Sequence, residues 1–140
     1  MSSWIFFAIL SAVFAALVAI FGKIGLSTID STLATTVRAF VMSIFLIIVA
    51  LFSGKLSGIN SIKGKSLVFI ILSGIAGALS WLCYFFALKT GKTAGVAALD
   101  RLSVVLVLIF SILFLGDKLN WQSGIGAILI TLGAILMVIK

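Results

Sequence analysis

Residues 67–88 read LVFIILSGIAGALSWLCYFFAL, and this stretch decides the fold of the chain. It contains no charged residue and is far too long for a β-strand. The hydrocarbon core of a bilayer is about 30 Å thick, and a helix needs roughly 20 apolar residues to cross it. The stretch therefore predicts a transmembrane helix.

Four more apolar stretches of similar length accompany this one. The five predicted helices lie at 4–22, 34–52, 67–88, 94–115 and 121–139. The joins at 89–93 and 116–120 are so short that the helices beside them are expected to be antiparallel neighbours. Residues 1–3 lack the basic region of a secretory signal, so the first stretch is expected to remain as a span. The sequence predicts an all-α polytopic membrane protein, a five-helix bundle in one domain over residues 1–140.

The composition agrees with a membrane protein. Of the 140 residues, 64% are hydrophobic and only 9% are charged, so the chain lacks the polar residues that a soluble domain needs for its surface. There is no histidine, and Cys83 is the one cysteine, which excludes disulfide frameworks and thiolate metal clusters. No metal site and no cofactor are expected.

The basic residues are scattered singly over loops and helix ends. They form no stripe, so the formal net charge of +7 does not predict nucleic-acid binding. Five spans place Lys55, Lys63, Lys65 and Lys118 on one membrane side and Lys23, Lys89, Lys92 and Lys140 on the other. Orientation follows the asymmetry of lysine and arginine, so this even division predicts insertion in both orientations. The alternative is one orientation, with the side of Lys23 cytoplasmic because Arg38 and Arg101 also count.

Insertion in both orientations has a consequence for assembly. Many transporters consist of two inverted repeats related by an axis in the membrane plane. A five-helix chain that inserts both ways supplies both repeats by dimerising. The sequence therefore predicts an antiparallel homodimer in the lipid bilayer.

Three ionisable side chains fall inside the predicted spans: Arg38, Asp100 and Arg101. Such a group costs ~2.5–3.5 kcal/mol even on a lenient insertion scale, so all three are functional candidates. Arg38 and Asp100 lie at similar depth, whereas Asp100 and Arg101 are about 100° apart on one helix, so Arg38 is the expected partner of Asp100. The remaining cation either attracts an anionic or carboxylate-bearing substrate or extends towards the membrane surface. Hydroxyl groups expected to support these charges are those of Thr35, Thr36 and Ser103.

The third span supplies further candidates. Trp81 and Tyr84 share a helix face at a spacing of three residues, so they either line a substrate pocket or form an interfacial aromatic belt. The pocket is favoured for Trp81, which lies deeper, and the belt for Tyr84. The small residues at 73–78 are of the kind that lets helices pack closely, as are those of the fifth span. Packing within one chain is the expected use of at least one of these two sets.

Nearly the whole chain resembles a known family. The segments SWLCYFFAL at 80–88, DRLSVV at 100–105 and LFLGDKL at 113–119 together resemble the small five-helix bacterial and archaeal transporters with an EamA-like domain, in the drug/metabolite transporter superfamily. Ala98 stands where family members usually carry proline, and Arg101 stands where they carry lysine. The first difference is expected to straighten a kink, and the second keeps the charge but prevents easy deprotonation. The resemblance implies one half of an inverted-repeat transporter.

Together these features predict a secondary transporter in the cell membrane. The family resemblance implies that it exports or exchanges small organic metabolites or drugs across the cytoplasmic membrane, and alternating access is the expected mechanism. Residues expected to bind the solute or couple its transport are Arg38, Trp81, Tyr84, Asp100 and Arg101. An alternative is a nontransporting accessory or assembly subunit, in which the charges only fix helix packing. An enzyme is disfavoured because the bundle has no histidine and no second carboxylate for acid–base chemistry.

Overall fold

The computed structural model describes residues 3–139, and all regular secondary structure in that range is helical. The helices are α1 Ser3–Gly25, α2 Ser31–Phe52, α3 Lys65–Thr90, α4 Thr93–Asp100, α5 Leu102–Phe110 and α6 Trp121–Leu136. A 3-10 helix, Lys55–Ser61, lies between α2 and α3, and a π-helical turn, Ser111–Leu115, follows α5. The all-α prediction is confirmed for the described residues.

Four helical segments of the described chain are long and apolar enough to cross a bilayer: Ser3–Gly25, Ser31–Phe52, Lys65–Thr90 and Thr93–Leu115. The fifth predicted span, 121–139, appears as the shorter helix α6. Its 16 residues extend about 24 Å at 1.5 Å per residue, which is less than the ~30 Å hydrocarbon core. The protein is therefore a multi-pass membrane protein with four candidate spans in the described range, where the sequence predicted five.

The outer surface of the helices is apolar. Phe45, Phe69 and most other large hydrophobic side chains are exposed, whereas the buried positions include Ala19, Phe85 and Leu88. A soluble monomer rarely exposes apolar surface on this scale. Lipid or another membrane chain must therefore cover these faces.

Contacts divide the chain into two compact units. One contains residues 24–89 and includes α2 and nearly all of α3. The other contains most of α1, the segment after residue 89 and, within it, α4, α5 and α6. In this second unit α6 packs against α4 and α5, and Lys23 Nζ donates a hydrogen bond to the Gly91 carbonyl at 2.9 Å. A Cβ at Gly95 would lie 3.6 Å from the Met137 carbonyl oxygen, so the residue permits a close backbone approach.

A polar cap, rather than the apolar stretch, sets the start of α2. The predicted second helix began at residue 34, but α2 begins at Ser31 because Asp30 is its N-cap. Asp30 Oδ1 accepts hydrogen bonds from the amides of Thr32 at 2.8 Å and Leu33 at 3.2 Å. The amides of Leu33 and Thr32 hold the pKa of Asp30 below its ordinary value, because they stabilise the carboxylate form.

The fourth span is not one uninterrupted α-helix. The Arg101 amide donates to the Ala98 carbonyl at 3.1 Å, and the Val104 amide donates to the Arg101 carbonyl at 3.0 Å. Both bonds connect residues three apart, so the α-helical pattern gives way to a tighter turn around Arg101. The helical bonding is thus interrupted between α4 and α5, where the sequence predicted one continuous span.

We predict that Asp30→Ala lowers the midpoint of thermal unfolding by a few degrees at pH 7, because two amides at the start of α2 lose their acceptor, while Asp30→Asn stays close to wild type. The pKa of Asp30 is lower in the folded chain, so its charge stabilises the fold above the unfolded pKa. This contribution is lost as the pH falls through the folded pKa. Thermal unfolding of the detergent-solubilised protein at pH 7 and about pH 3 measures both effects. Equal midpoints for wild type and Asp30→Ala at both pH values would contradict the role of the cap.

Candidate functional site

Arg38 and Trp81, two of the predicted site residues, contact each other. The guanidinium carbon Cζ of Arg38, on α2, lies 3.6 Å from the centroid of the Trp81 ring, on α3. This geometry is a cation–π interaction, and both side chains are half-buried. Both residues were predicted from the sequence as site residues, but their contact with each other was not predicted.

Phe85 completes an aromatic cluster around this contact. Its ring centroid lies 5.5 Å from Arg38 Cζ and 6.0 Å from the Trp81 ring, and the residue is only 3% exposed. Tyr84 also joins the cluster, because its ring meets that of Trp81 edge to face at 5.5 Å. Sequence reasoning missed Phe85 as a site residue. The signal was present, because Phe85 lies four residues after Trp81 and so on the same helix face.

A cavity of about 800 Å³, the α2–α3 cavity, opens between α2 and α3 beside this cluster. Arg38 is the one charged residue in its lining. Hydroxyl side chains on α2 and Trp81 on α3 also border it, and most of the remaining lining is apolar. Pockets that hold small molecules typically measure about 300–1,000 Å³ and are mostly apolar with a few polar groups. The α2–α3 cavity has the size and chemistry of such a pocket.

Small residues on α3 contribute to the open space. Gly74 and Gly77 line the α2–α3 cavity, and a Cβ added at either position would meet nothing within 4 Å. Close helix packing was one expected use of the small residues at 73–78. At these two positions the described chain has space instead of a packed neighbour.

The hydroxyl groups near Arg38 bond to their own helix. Thr35 Oγ1 donates to the Ser31 carbonyl at 2.7 Å, and Thr36 Oγ1 donates to the Thr32 carbonyl at 2.9 Å. Such bonds satisfy hydroxyl groups where water is scarce. The hydroxyl oxygens can still accept from a cationic donor, so the expected support of the charge by these threonines stays a prediction. Their hydroxyl protons are already used, so the donors left in the cavity lining are the Arg38 guanidinium, the Trp81 indole N–H and the Ser43 hydroxyl.

Asp100 and Arg101 lie in the other unit, at the point where α4 ends and α5 begins. Both side chains are exposed. The pairing of Arg38 with Asp100 stays a prediction, because the two residues belong to different units. Within residues 24–89 the sequence has one carboxylate, Asp30, and the amides of Thr32 and Leu33 bind it. Arg38 thus has no acidic partner in its own unit.

Comparison with known proteins gives a consistent family. The family model for the EamA-like transporter family matches residues 2–139. The chain is 44% identical to an uncharacterized transporter in the cobO 3′ region of Sinorhizobium sp over 137 residues, which are 98% of this chain and 97% of that protein. It is also 32% identical to the pseudopaline exporter CntI from two strains of Pseudomonas aeruginosa, over 49% of this chain and 24% of the exporter. No solved structure gives a significant match.

We predict that Gly77→Leu fills part of the α2–α3 cavity without unfolding the chain, because the added side chain meets open space. Ser43 lines the same cavity. In a Cys83→Ala background, Ser43→Cys should react with a small methanethiosulfonate reagent several-fold more slowly when Gly77→Leu is added. Gly58→Leu in the 3-10 helix between α2 and α3 is the matched control, since its site is equally open but lies outside this cavity. Equal slowing by both leucines, or by neither, would contradict the assignment of Gly77 to the cavity wall.

Proposed function

The chain belongs to the EamA-like transporter family, and we propose that it is a secondary transporter that exports or exchanges small organic metabolites or drugs across the cytoplasmic membrane. Proteins of this family are membrane transporters, not enzymes, which confirms the prediction that the chain is not an enzyme. The observation that carries the proposal is the α2–α3 cavity, in which a half-buried arginine stacks on a tryptophan.

The proposed solute site begins with Arg38 and Trp81. An ionisable side chain within a membrane span is costly, and such residues commonly mark a substrate or ion pathway. Tyr84 belongs to the same aromatic cluster through its contact with Trp81. Asp100 and Arg101 are proposed as the second part of the site or as its coupling residues, because both are ionisable and stand at an interruption of the fourth span. Interrupted transmembrane helices are frequent at transporter binding sites.

The direction of transport is proposed from a relative. The relative from Pseudomonas aeruginosa is a pseudopaline exporter, and this chain resembles it over 69 residues. This similarity supports export as one mode of transport by the present chain. The similarity of the full chain to a transporter in Sinorhizobium sp also favours transport over a purely accessory role.

The proposed assembly is an antiparallel homodimer of two inverted five-span chains that works by alternating access. Residues 1–140 would form one EamA-like domain, with α6 as its fifth span, and a short apolar helix can cross where the bilayer thins locally. The even division of lysines between the two membrane sides supports insertion in both orientations. Open space beside Gly124, Gly126 and Gly133 on α6 supports a close approach by a second copy.

We predict that the purified chain in liposomes catalyses saturable counterflow of at least one labelled member of a panel of amino acids, organic acids and amines. Asp100→Asn should reduce this counterflow to background while the variant elutes from a sizing column like wild type. Asp117→Asn is the matched control, because Asp117 is exposed in the loop after the fourth span. Linear flux without saturation would indicate a channel, and wild-type counterflow in Asp100→Asn would make Asp100 structural.

We also predict that the chain inserts in both orientations. In a Cys83→Ala background, a cysteine introduced at Ser57 should react with an impermeant thiol reagent from outside in about half of the molecules, and fully after lysis. A cysteine at Thr28, in the loop expected on the opposite side, should give the same fraction. Complete labelling at one position and none at the other would contradict the homodimer of opposed chains and would require a partner of opposite orientation.

A further inference from the structure

The lining of the α2–α3 cavity carries one formal charge, and that charge is positive. The single carboxylate of the 24–89 unit, Asp30, accepts hydrogen bonds from the amides of Thr32 and Leu33 at the start of α2. It is therefore engaged away from the cavity, whose lining does not include it. A cation in a site of low dielectric constant attracts an anion more strongly than it would in water. The same cation opposes the entry of a cationic solute.

The stacking of Arg38 on Trp81 leaves its hydrogen-bonding capacity available. A guanidinium is planar, and its five N–H donors lie in that plane, so a contact through its face does not use them. The structure describes no hydrogen bond from the Arg38 guanidinium to another residue of the 24–89 unit. Unmatched donors are costly in a membrane. A carboxylate supplies two oxygen acceptors in the geometry that a guanidinium binds as a pair.

Most of the remaining lining of the α2–α3 cavity favours an apolar group. The hydroxyl protons of Thr35 and Thr36 are bonded to backbone carbonyls, so these residues offer only acceptors. Met42, Leu46 and Leu82 make much of the remaining wall apolar, and Gly74 and Gly77 leave it open. The cavity therefore combines one cationic end with a long apolar wall.

We infer that the α2–α3 cavity binds a soluble organic carboxylate with an apolar body, whose carboxylate pairs with Arg38 while its body lies along the glycine-lined wall of α3. This inference rests on the proposed function only in identifying the ligand as the transported solute. A fatty acid carries the same two chemical features, so it is the competing occupant.

The test uses three probes that share a phenyl ring on a three-carbon chain and differ in the terminal group. They are 3-phenylpropionate, 3-phenylpropionamide and 3-phenylpropylamine. The full chain with Trp4→Phe and Trp121→Phe keeps Trp81 as its one tryptophan, so its emission reports binding beside Arg38. The protein is placed in nanodiscs of neutral phosphatidylcholine, and affinity is measured rather than amplitude. We expect the carboxylate to bind at least about tenfold more tightly than the amide, since a charge-assisted hydrogen-bonded pair is lost. The amine should not bind measurably.

Variants assign this preference to Arg38. Arg38→Gln should reduce the ratio of carboxylate to amide affinity to within about twofold, and Arg38→Lys should give an intermediate ratio because it keeps the charge but not the paired donors. Lys55→Gln removes a positive charge outside the cavity and should leave the ratio unchanged. Should Arg38→Gln fail to fold, Gly77→Leu keeps Arg38 and should weaken the carboxylate and the amide alike.

Several results would overturn the inference. Equal binding of the three probes, tighter binding of the amine, or an undiminished preference in Arg38→Gln would show that Arg38 does not select an anion. A change in Trp81 emission with oleate but not with 3-phenylpropionate would identify a lipid as the occupant. The proposed function is tested separately: carboxylate binding without counterflow would remove transport and keep this site, whereas counterflow without anion preference would do the reverse.

Discussion

The stacking of the Arg38 guanidinium on the Trp81 ring is the interaction on which the site depends. Placing an arginine in a membrane span costs ~2.5–3.5 kcal/mol on the lenient scale, and a cation–π contact returns ~0.5–2 kcal/mol, depending on its burial. The contact thus offsets part of the insertion cost but leaves the N–H donors of Arg38 without a partner in its own unit. An arginine that is tolerated yet not neutralised can bind an anion, because its charge and donors remain available.

The fold could be predicted where hydrophobicity alone decides it. Apolar stretches of about 20 residues have few options other than helices in a bilayer, so α1, α2 and α3 were located by composition. The predicted helix ends were less accurate than the predicted helix positions. Backbone hydrogen bonding continues past the last apolar residue until a cap or a turn stops it. Asp30 stops α2 in this way, and Gly116, with φ of +73°, ends the fourth span. The length of α6 and the interruption at Arg101 depend on packing and local bonding that hydropathy does not report.

The site could be predicted in its residue types but not in its arrangement. Arg38 and Trp81 could be predicted as site residues because a charged side chain and a large amphipathic side chain are unusual inside a span. Their contact depends on the rotation of α2 relative to α3, which the periodicity of either helix alone does not contain. The pairing of Arg38 with Asp100, which rests on their similar depth and on the angle between Asp100 and Arg101, stays a prediction because Arg38 and Asp100 lie in different units. Gly74 and Gly77 were interpreted through packing, since sequence does not show whether a small residue faces a helix or a space.

The α2–α3 cavity connects these features, because it places the cation of α2 beside the apolar wall of α3 in a transporter family member. Photoaffinity mapping with a diazirine-substituted benzoate on the reconstituted chain tests most directly whether this cavity binds an organic carboxylate. We predict adducts on residues 35–46 of α2 and 74–85 of α3, suppressed by an excess of unmodified benzoate. Competable adducts confined to α4, α5 and α6, or no competable adducts, would contradict this prediction.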